Sequence, residues 1–287
     1  MNACDTILDT ATGPFAIRDH GGAGRGLLLV HGTGHNLEVW EPLADRLRGD
    51  FRVVSFDLRG HGQTPLNSAN AEEHWRDLAA IIDALRLKQP ILVGHSSGGY
   101  AVTAHAAAGG ACAGLVVVDG FVPDPREAAL RATGVVPREQ LRTMFRYGWI
   151  ATDEQKEAWG RQVRAEAPGD WLNFGIDPDL VEAFTRRSFM RHGDGWLRRP
   201  TLEEIDQLSR LDARQAILPA NDVYERLQMP ASFVFARHGL YRDRRAEVEC
   251  LARKIGAQFV ELDAGHNLHM QQPAALGEAI RDLANRV

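Results

Sequence analysis

Ile91-Leu92-Val93-Gly94-His95-Ser96-Ser97-Gly98-Gly99-Tyr100 is an apolar run that stops in a Gly-His-Ser-Ser-Gly turn and continues into small residues, Ala101, Ala104, Ala106 and Ala108. It reads as a strand, a sharp turn and a helix. The turn fits the G-x-S-x-G nucleophile elbow with Ser96 at its tip. A nucleophile held in strained backbone leaves no room for side chains two residues to either side, which gives Gly94 and Gly98 a mechanical reason to be there. Ser97 fails the same test, because its flanks are His95 and Gly99.

Outward from this point the same rhythm repeats. Gly26–Val30 is a wholly apolar strand that runs into His31-Gly32-Thr33-Gly34, and an amphipathic helix is expected from about Trp40 to Leu47. A second buried strand, Phe51–Phe56, ends in Asp57-Leu58-Arg59-Gly60-His61-Gly62. Leu78, Ile81, Ile82 and Leu85 follow a helical period in a segment from about Ala71 to Leu87. After the elbow comes a strand at Gly114–Val118, closed by Asp119. Before all of these, a weak strand is expected around Phe15–Arg18, followed by a glycine-rich turn. Continuous apolar strands alternating with helices predict right-handed βαβ units and a mostly parallel sheet of about eight strands, with helices on both faces.

The alternation breaks between Val122 and Leu218. This region lacks β-branched runs, shows helical periodicity, and is punctuated by prolines 123, 125, 137, 168, 178, 200 and 219. A mostly helical insertion over 122–218 is expected, with a core domain made of 1–121 and 219–287. The α/β pattern resumes at Ala231–Ala236. It continues with a helix near Arg244–Ile255, a last strand at Gln258–Leu262, the loop Asp263-Ala264-Gly265-His266-Asn267-Leu268-His269, and a closing helix from Pro273 to Arg286.

The 287 residues are 44% hydrophobic and 25% charged, ordinary for a globular protein with a sizeable core. A net charge of −5 argues against nucleic-acid binding, which usually goes with a basic excess. Three scattered cysteines, Cys4, Cys112 and Cys250, suggest reduced thiols and the cytoplasm. No apolar run approaches the length of a membrane span, and no signal-peptide pattern opens the chain.

Taken together, the loop at His31–Gly34, the Asp57–Gly62 turn, the Gly94–Gly98 elbow and Gly265-His266 resemble the α/β-hydrolase family in a serine-nucleophile form with a helical cap. The resemblance covers nearly everything outside the insertion and implies the chain order serine, acid, histidine. It points to His266 as the base, with His269 as its substitute. It implies oxyanion donors at the backbone N–H groups of Ser97 and Thr33, with Gly34 as the nearby alternative. His31 is expected to support its loop, and no chemistry is assigned to Asp57–Gly62. The sequence departs from the pattern at the acid. Many members carry Asp about three residues beyond the strand read at Phe233–Ala236, where this chain has Gly239 and no carboxylate until Asp243. The other place used in the family is the end of the strand after the elbow, where Asp119 stands 23 residues beyond Ser96. Asp119 is the expected acid, and Asp243 the alternative.

Six aromatic residues of the insertion, Trp149, Trp159, Trp171, Phe174, Phe184 and Trp196, are expected to be divided between a pocket wall and local core packing. Its arginines, Arg186, Arg187, Arg191, Arg198 and Arg199, read foremost as a solvated face, with attraction of an acidic substrate as the other reading. Neither metal-ligand spacing nor a dinucleotide fingerprint is present, so no metal and no cofactor are expected. These readings converge on a serine hydrolase that cleaves an ester or lactone of a small molecule through an acyl-enzyme on Ser96. The same triad would also serve carbon–carbon bond hydrolysis. The missing acid at position 239 keeps open a binding or receptor protein with little turnover. A peptidase, the remaining reading, would need an acidic cluster in the insertion.

Overall fold

Four nearly unbroken apolar pentapeptides build the middle of the molecule, in a computed structural model that describes residues 4–122, 138–209, 215–218 and 220–287. They are β3 (Gly26–Val30), β4 (Arg52–Phe56), β5 (Ile91–His95) and β6 (Gly114–Val118). Strands this apolar must be covered on both faces, which a parallel sheet with crossover helices provides. They join β1 (Asp5–Thr10), β2 (Gly13–Gly21), β10 (Ala231–His238) and β11 (Gln258–Gly265) in one eight-stranded sheet, ordered β1-β2-β4-β3-β5-β6-β10-β11. From β4 to β11 every pairing is parallel, while β1 and β2 add an antiparallel edge.

Helices α2 (Ala71–Ala84), α3 (Ser97–Ala107) and α8 (Arg245–Ile255) bury Leu78, Val102 and Val248 on one face, against Leu28, Leu92 and Phe233. Helices α1 (Glu41–Leu47) and α9 (Pro273–Ala284) bury Leu43, Leu276 and Ile280 on the other, against Leu29, Val93 and Val234. The expected sheet and its two helical layers are therefore present. The weak strand near Phe15 is the centre of β2, and β1 is an additional partner whose side chains are mostly exposed.

Between β6 and β10 lies the insertion. Its described part holds α4 (Arg138–Phe145), α5 (Asp153–Glu166), α6 (Pro178–Arg187) and α7 (Leu202–Ser209). Thr152 and Gln155 form a reciprocal capping box at the start of α5. The described part is mostly helical, and it adds a small sheet that the sequence reading does not include. β7 (Ile150–Ala151), β8 (Phe189–His192) and β9 (Gly195–Arg198) form a second, antiparallel sheet in the order β7-β9-β8. His192 pairs with Gly195 across a two-residue Gly193-Asp194 turn, and Gly193 takes the left-handed φ of 56° that such hairpins need. Prolines 123, 125, 137 and 219 lie outside the described residues.

Candidate active site

β5 delivers Ser96 at φ 54° and ψ −124°, a conformation that L-residues rarely adopt, immediately before α3 begins. Two hydrogen bonds hold the turn: Ser96 N–H donates to the Val118 carbonyl (3.0 Å) and Gly99 N–H to the Ser96 carbonyl (2.8 Å). A Cβ on Gly94 would run into the Gly98 carbonyl, and one on Gly98 into the Val30 carbonyl. Two further glycines close the packing. A Cβ on Gly32 would stand 2.7 Å from Ser96 Cβ, and one on Gly120 would meet the Ser96 carbonyl.

Asp119 leaves the end of β6 with no solvent exposure and a positive φ of 38°. Its Oδ1 accepts from the Ala236 N–H (3.2 Å), and its Oδ2 lies 2.7 Å from His266 Nδ1. His266 follows β11 directly and is nearly buried. With Nδ1 donating to Asp119, the Nε2 lone pair is left free. Asp243 stands apart on an exposed turn, its side chain 88% exposed beside Arg242. Gly239 is close to Asp119 instead: a Cβ there would collide with Asp119 Oδ2. The two acid positions of the family thus converge on one space, which Asp119 fills in this chain.

His269 does not line the cavity. It is fully buried behind His95, with ring centroids 4.1 Å apart, and packs on Trp40 at 4.8 Å. His35, His95 and His269 each bring a ring nitrogen within 4.8 Å of the others, the one such trio of metal-ligand groups among the described residues. They come from three separate segments, a loop after β3, the end of β5 and a one-turn helix at Leu268–Gln271, so sequence spacing does not reveal them. Burial holds all three rings neutral.

On the opposite side, the Thr33 N–H donates to Ser97 Oγ (2.8 Å), and the two hydroxyls are also 2.8 Å apart. One expected oxyanion donor is thus engaged by the side chain of the residue that supplies the other. Gly34, at φ 83°, lies under the Tyr147 hydroxyl. His31 braces this loop as expected: Nδ1 donates to the Gly32 carbonyl (2.8 Å) and Nε2 accepts from Leu58 N–H (3.0 Å). Asp57 is equally structural, accepting from Leu37 N–H (2.7 Å) and Gln63 N–H (2.8 Å).

Ser96 and His266 open into a cavity of about 340 Å³, toward the small end of the roughly 300–1,000 Å³ usual for ligand sites. Thr33 and His95 contribute from the core, while Tyr147, Trp159, Phe184 and Arg198 contribute from the insertion. Of the six aromatics singled out, Trp159, Trp171 and Phe184 line this cavity. Trp149 packs on Phe189 (5.8 Å), Phe174 against Gly265, and Trp196 donates to Asp153 (2.7 Å).

The arginine cluster is not a solvated face. Arg187 pairs with Asp57 (2.9 Å) and Asp5, Arg186 with Glu157 and Glu182 (both 2.7 Å), and Arg198 and Arg199 are buried; Arg191 is the exposed member. Tyr147 and the buried state of Arg198 escape a reading of the sequence, because neither residue sits in a recognisable motif.

Residues 27–279 match the sequence model of the Alpha/beta hydrolase family, and the chain belongs to that family. Among curated relatives, the mouse (Mus musculus) protein phosphatase methylesterase 1 is 35% identical over 108 residues, 35% of this chain and 28% of that protein. The 2-(acetamidomethylene)succinate hydrolase of Mesorhizobium japonicum is 37% identical over 114 residues, 39% of this chain and 41% of that protein. The chain therefore spans well under half the length of either relative. The crystal structure of E-2-(acetamidomethylene)succinate hydrolase superposes with a TM-score of 0.76 at 22% identity, covering 99% of both chains. That likeness is one of fold. Among the described residues, no helix is long and apolar enough to cross a membrane.

Proposed function

We propose that the protein is a serine hydrolase that cleaves a carboxylic ester or lactone of a small molecule. Ser96 Oγ attacks the acyl carbon, and His266 Nε2 takes the proton and returns it to the leaving oxygen. Asp119 holds the His266 tautomer that leaves Nε2 free, and stabilises the imidazolium as it forms. The N–H groups of Ser97 and Thr33 receive the oxyanion; a substrate oxygen must first displace the Ser97 hydroxyl from Thr33. Donors of this kind each contribute about 3–4 kcal/mol to lowering the barrier. Water then attacks the acyl-enzyme by the same steps in reverse order, releasing the acid and regenerating Ser96.

The observation that carries this reading is the 2.7 Å contact between Asp119 and His266, with His266 and a strained serine lining the same cavity. Membership of a hydrolase family and partial identity to a methylesterase support ester chemistry. The test is a fluorophosphonate probe mapped by mass spectrometry. A single adduct at Ser96, absent from Ser96→Ala, is the expected result. A wild-type chain that stays unlabelled while short esters go uncleaved overturns the reading.

A further inference from the structure

Arg198 and Arg199 are neighbours in sequence and both buried, yet their surroundings differ. The Arg199 guanidinium donates to the carbonyls of Thr64 and Leu66 (2.7 Å for Leu66) and pairs with Glu204 (3.4 Å). Arg198, only 5% exposed, has no carboxylate within ion-pair distance among the described residues, and its Nε and Nη1 have no hydrogen-bond partner. Its contacts are the faces of two rings, Phe189 at 5.6 Å and Tyr147 at 6.0 Å. A guanidinium carries five donors and stays charged at neutral pH, so leaving it buried and unpaired is costly. Burial pulls its pKa down to about 10, with the Tyr147 phenol acting weakly the other way. Such a cost is retained where the partner arrives from outside.

The partner has a route. Arg198 lines the same cavity as Ser96 and His266. The two acids on that cavity wall are already engaged: Glu166 accepts from Gln162 (2.9 Å), and Asp170 accepts from the Leu172 and Asn173 N–H groups (3.0 and 2.8 Å). We propose that Arg198 is a specificity residue that binds a carboxylate of the substrate, so that the preferred substrates are esters or lactones whose acyl or alcohol part carries a free carboxylate. A singly charged carboxylate balances the one unpaired cation. A phosphate dianion would leave surplus negative charge in a cavity that already holds two acids. The proposal rests on the hydrolase reading of Ser96.

The test compares mono(4-nitrophenyl) adipate with the neutral 4-nitrophenyl hexanoate, each corrected for its uncatalysed rate. The expected wild-type preference in kcat/KM for the adipate ester is at least tenfold, carried mainly by KM. In Arg198→Met that preference falls to about one, and Arg198→Lys keeps part of it. A measurement on the wild type alone guards against a variant that does not fold. Free adipate should slow fluorophosphonate labelling of Ser96 several-fold at millimolar concentration, whereas adipamide and inorganic phosphate should not. Labelling of Ser96 with no charge preference and no protection by adipate overturns the carboxylate proposal and leaves the hydrolase reading intact. Stronger protection by phosphate than by adipate assigns the site to a phosphate and overturns it too. Failure of Ser96 to label at all removes both.

Discussion

Asp119, at the end of β6, and Arg198, at the end of β9, are both buried charges beside one cavity, but their own chain treats them differently. Asp119 has a partner for each oxygen, the Ala236 N–H and His266 Nδ1. Among the described residues, Arg198 Nε and Nη1 have no hydrogen-bond partner, and its guanidinium faces the Tyr147 and Phe189 rings. The sheet region therefore holds a carboxylate whose polar partners are in place before any ligand arrives. The insertion carries a guanidinium that a ligand is proposed to complete. In the proposed function, which buried charge is partnered separates the residue assigned to the reaction from the one assigned to selecting what enters.

Acid is expected to strike the sheet side hardest. Burial, reinforced by neighbouring charges, holds His35 and His74 down to about 3 and His61 to about 4, with His31, His95 and His269 also well below their usual 6.5. Below pH 6.5 the unfolded chain takes up protons that the folded chain refuses, so stability falls as pH falls and is flat above about 7. Each such histidine costs at most about 1.4 kcal/mol per pH unit. All six act in the same direction, so acid unfolding is the largest effect expected. Urea unfolding at pH 7.5, 6.5 and 5.5 checks the slope.

Next in size, Asp119→Asn should lower kcat by about 10³–10⁴ with the fold intact, because the His266 tautomer is no longer held. Steady-state turnover alongside a thermal melt separates the two effects. On the insertion side, the paired and unpaired arginines should respond in opposite directions. Arg199→Met takes the cation from buried Glu204, which keeps only its neutral donors on Thr201 and Ser68, and frees the Thr64 and Leu66 carbonyls; it is expected to cost about 3 kcal/mol. Arg198→Met strands nothing and removes an uncompensated charge, so it is expected to be neutral or stabilising by about 1–2 kcal/mol while substrate selection is lost. Chemical denaturation of both variants would erase the distinction if the two lost stability equally.

The sheet was legible because its strands are apolar on both faces, and the elbow because close packing there admits only glycine at positions 94 and 98. Asp119 could be found as a carboxylate directly after an apolar strand, and Gly239 as the place where an acid was missing. β1 was not legible: Asp5–Thr10 is an exposed edge whose polar residues carry no burial pattern. The small sheet of β7, β8 and β9 has strands of two to four residues, too short for any periodicity to register. Arg198 and Arg199 sit in a run of charge that reads as surface. Their burial depends on what packs over them from distant segments, which no local window contains.

We propose that one carboxylate, in one space, orients His266. The most direct test is the rate of fluorophosphonate labelling at Ser96 in the wild type, in Asp119→Ala, and in Asp119→Ala combined with Gly239→Asp. Asp119→Ala should slow labelling by at least a hundredfold. The added Asp at 239 enters the space that the Asp119 carboxylate vacates but must also push aside the Ala236 Cβ, 2.7 Å from where its own Cβ falls, so only a minor part of that loss should return. Unchanged labelling in Asp119→Ala would contradict the claim, whatever the double variant does.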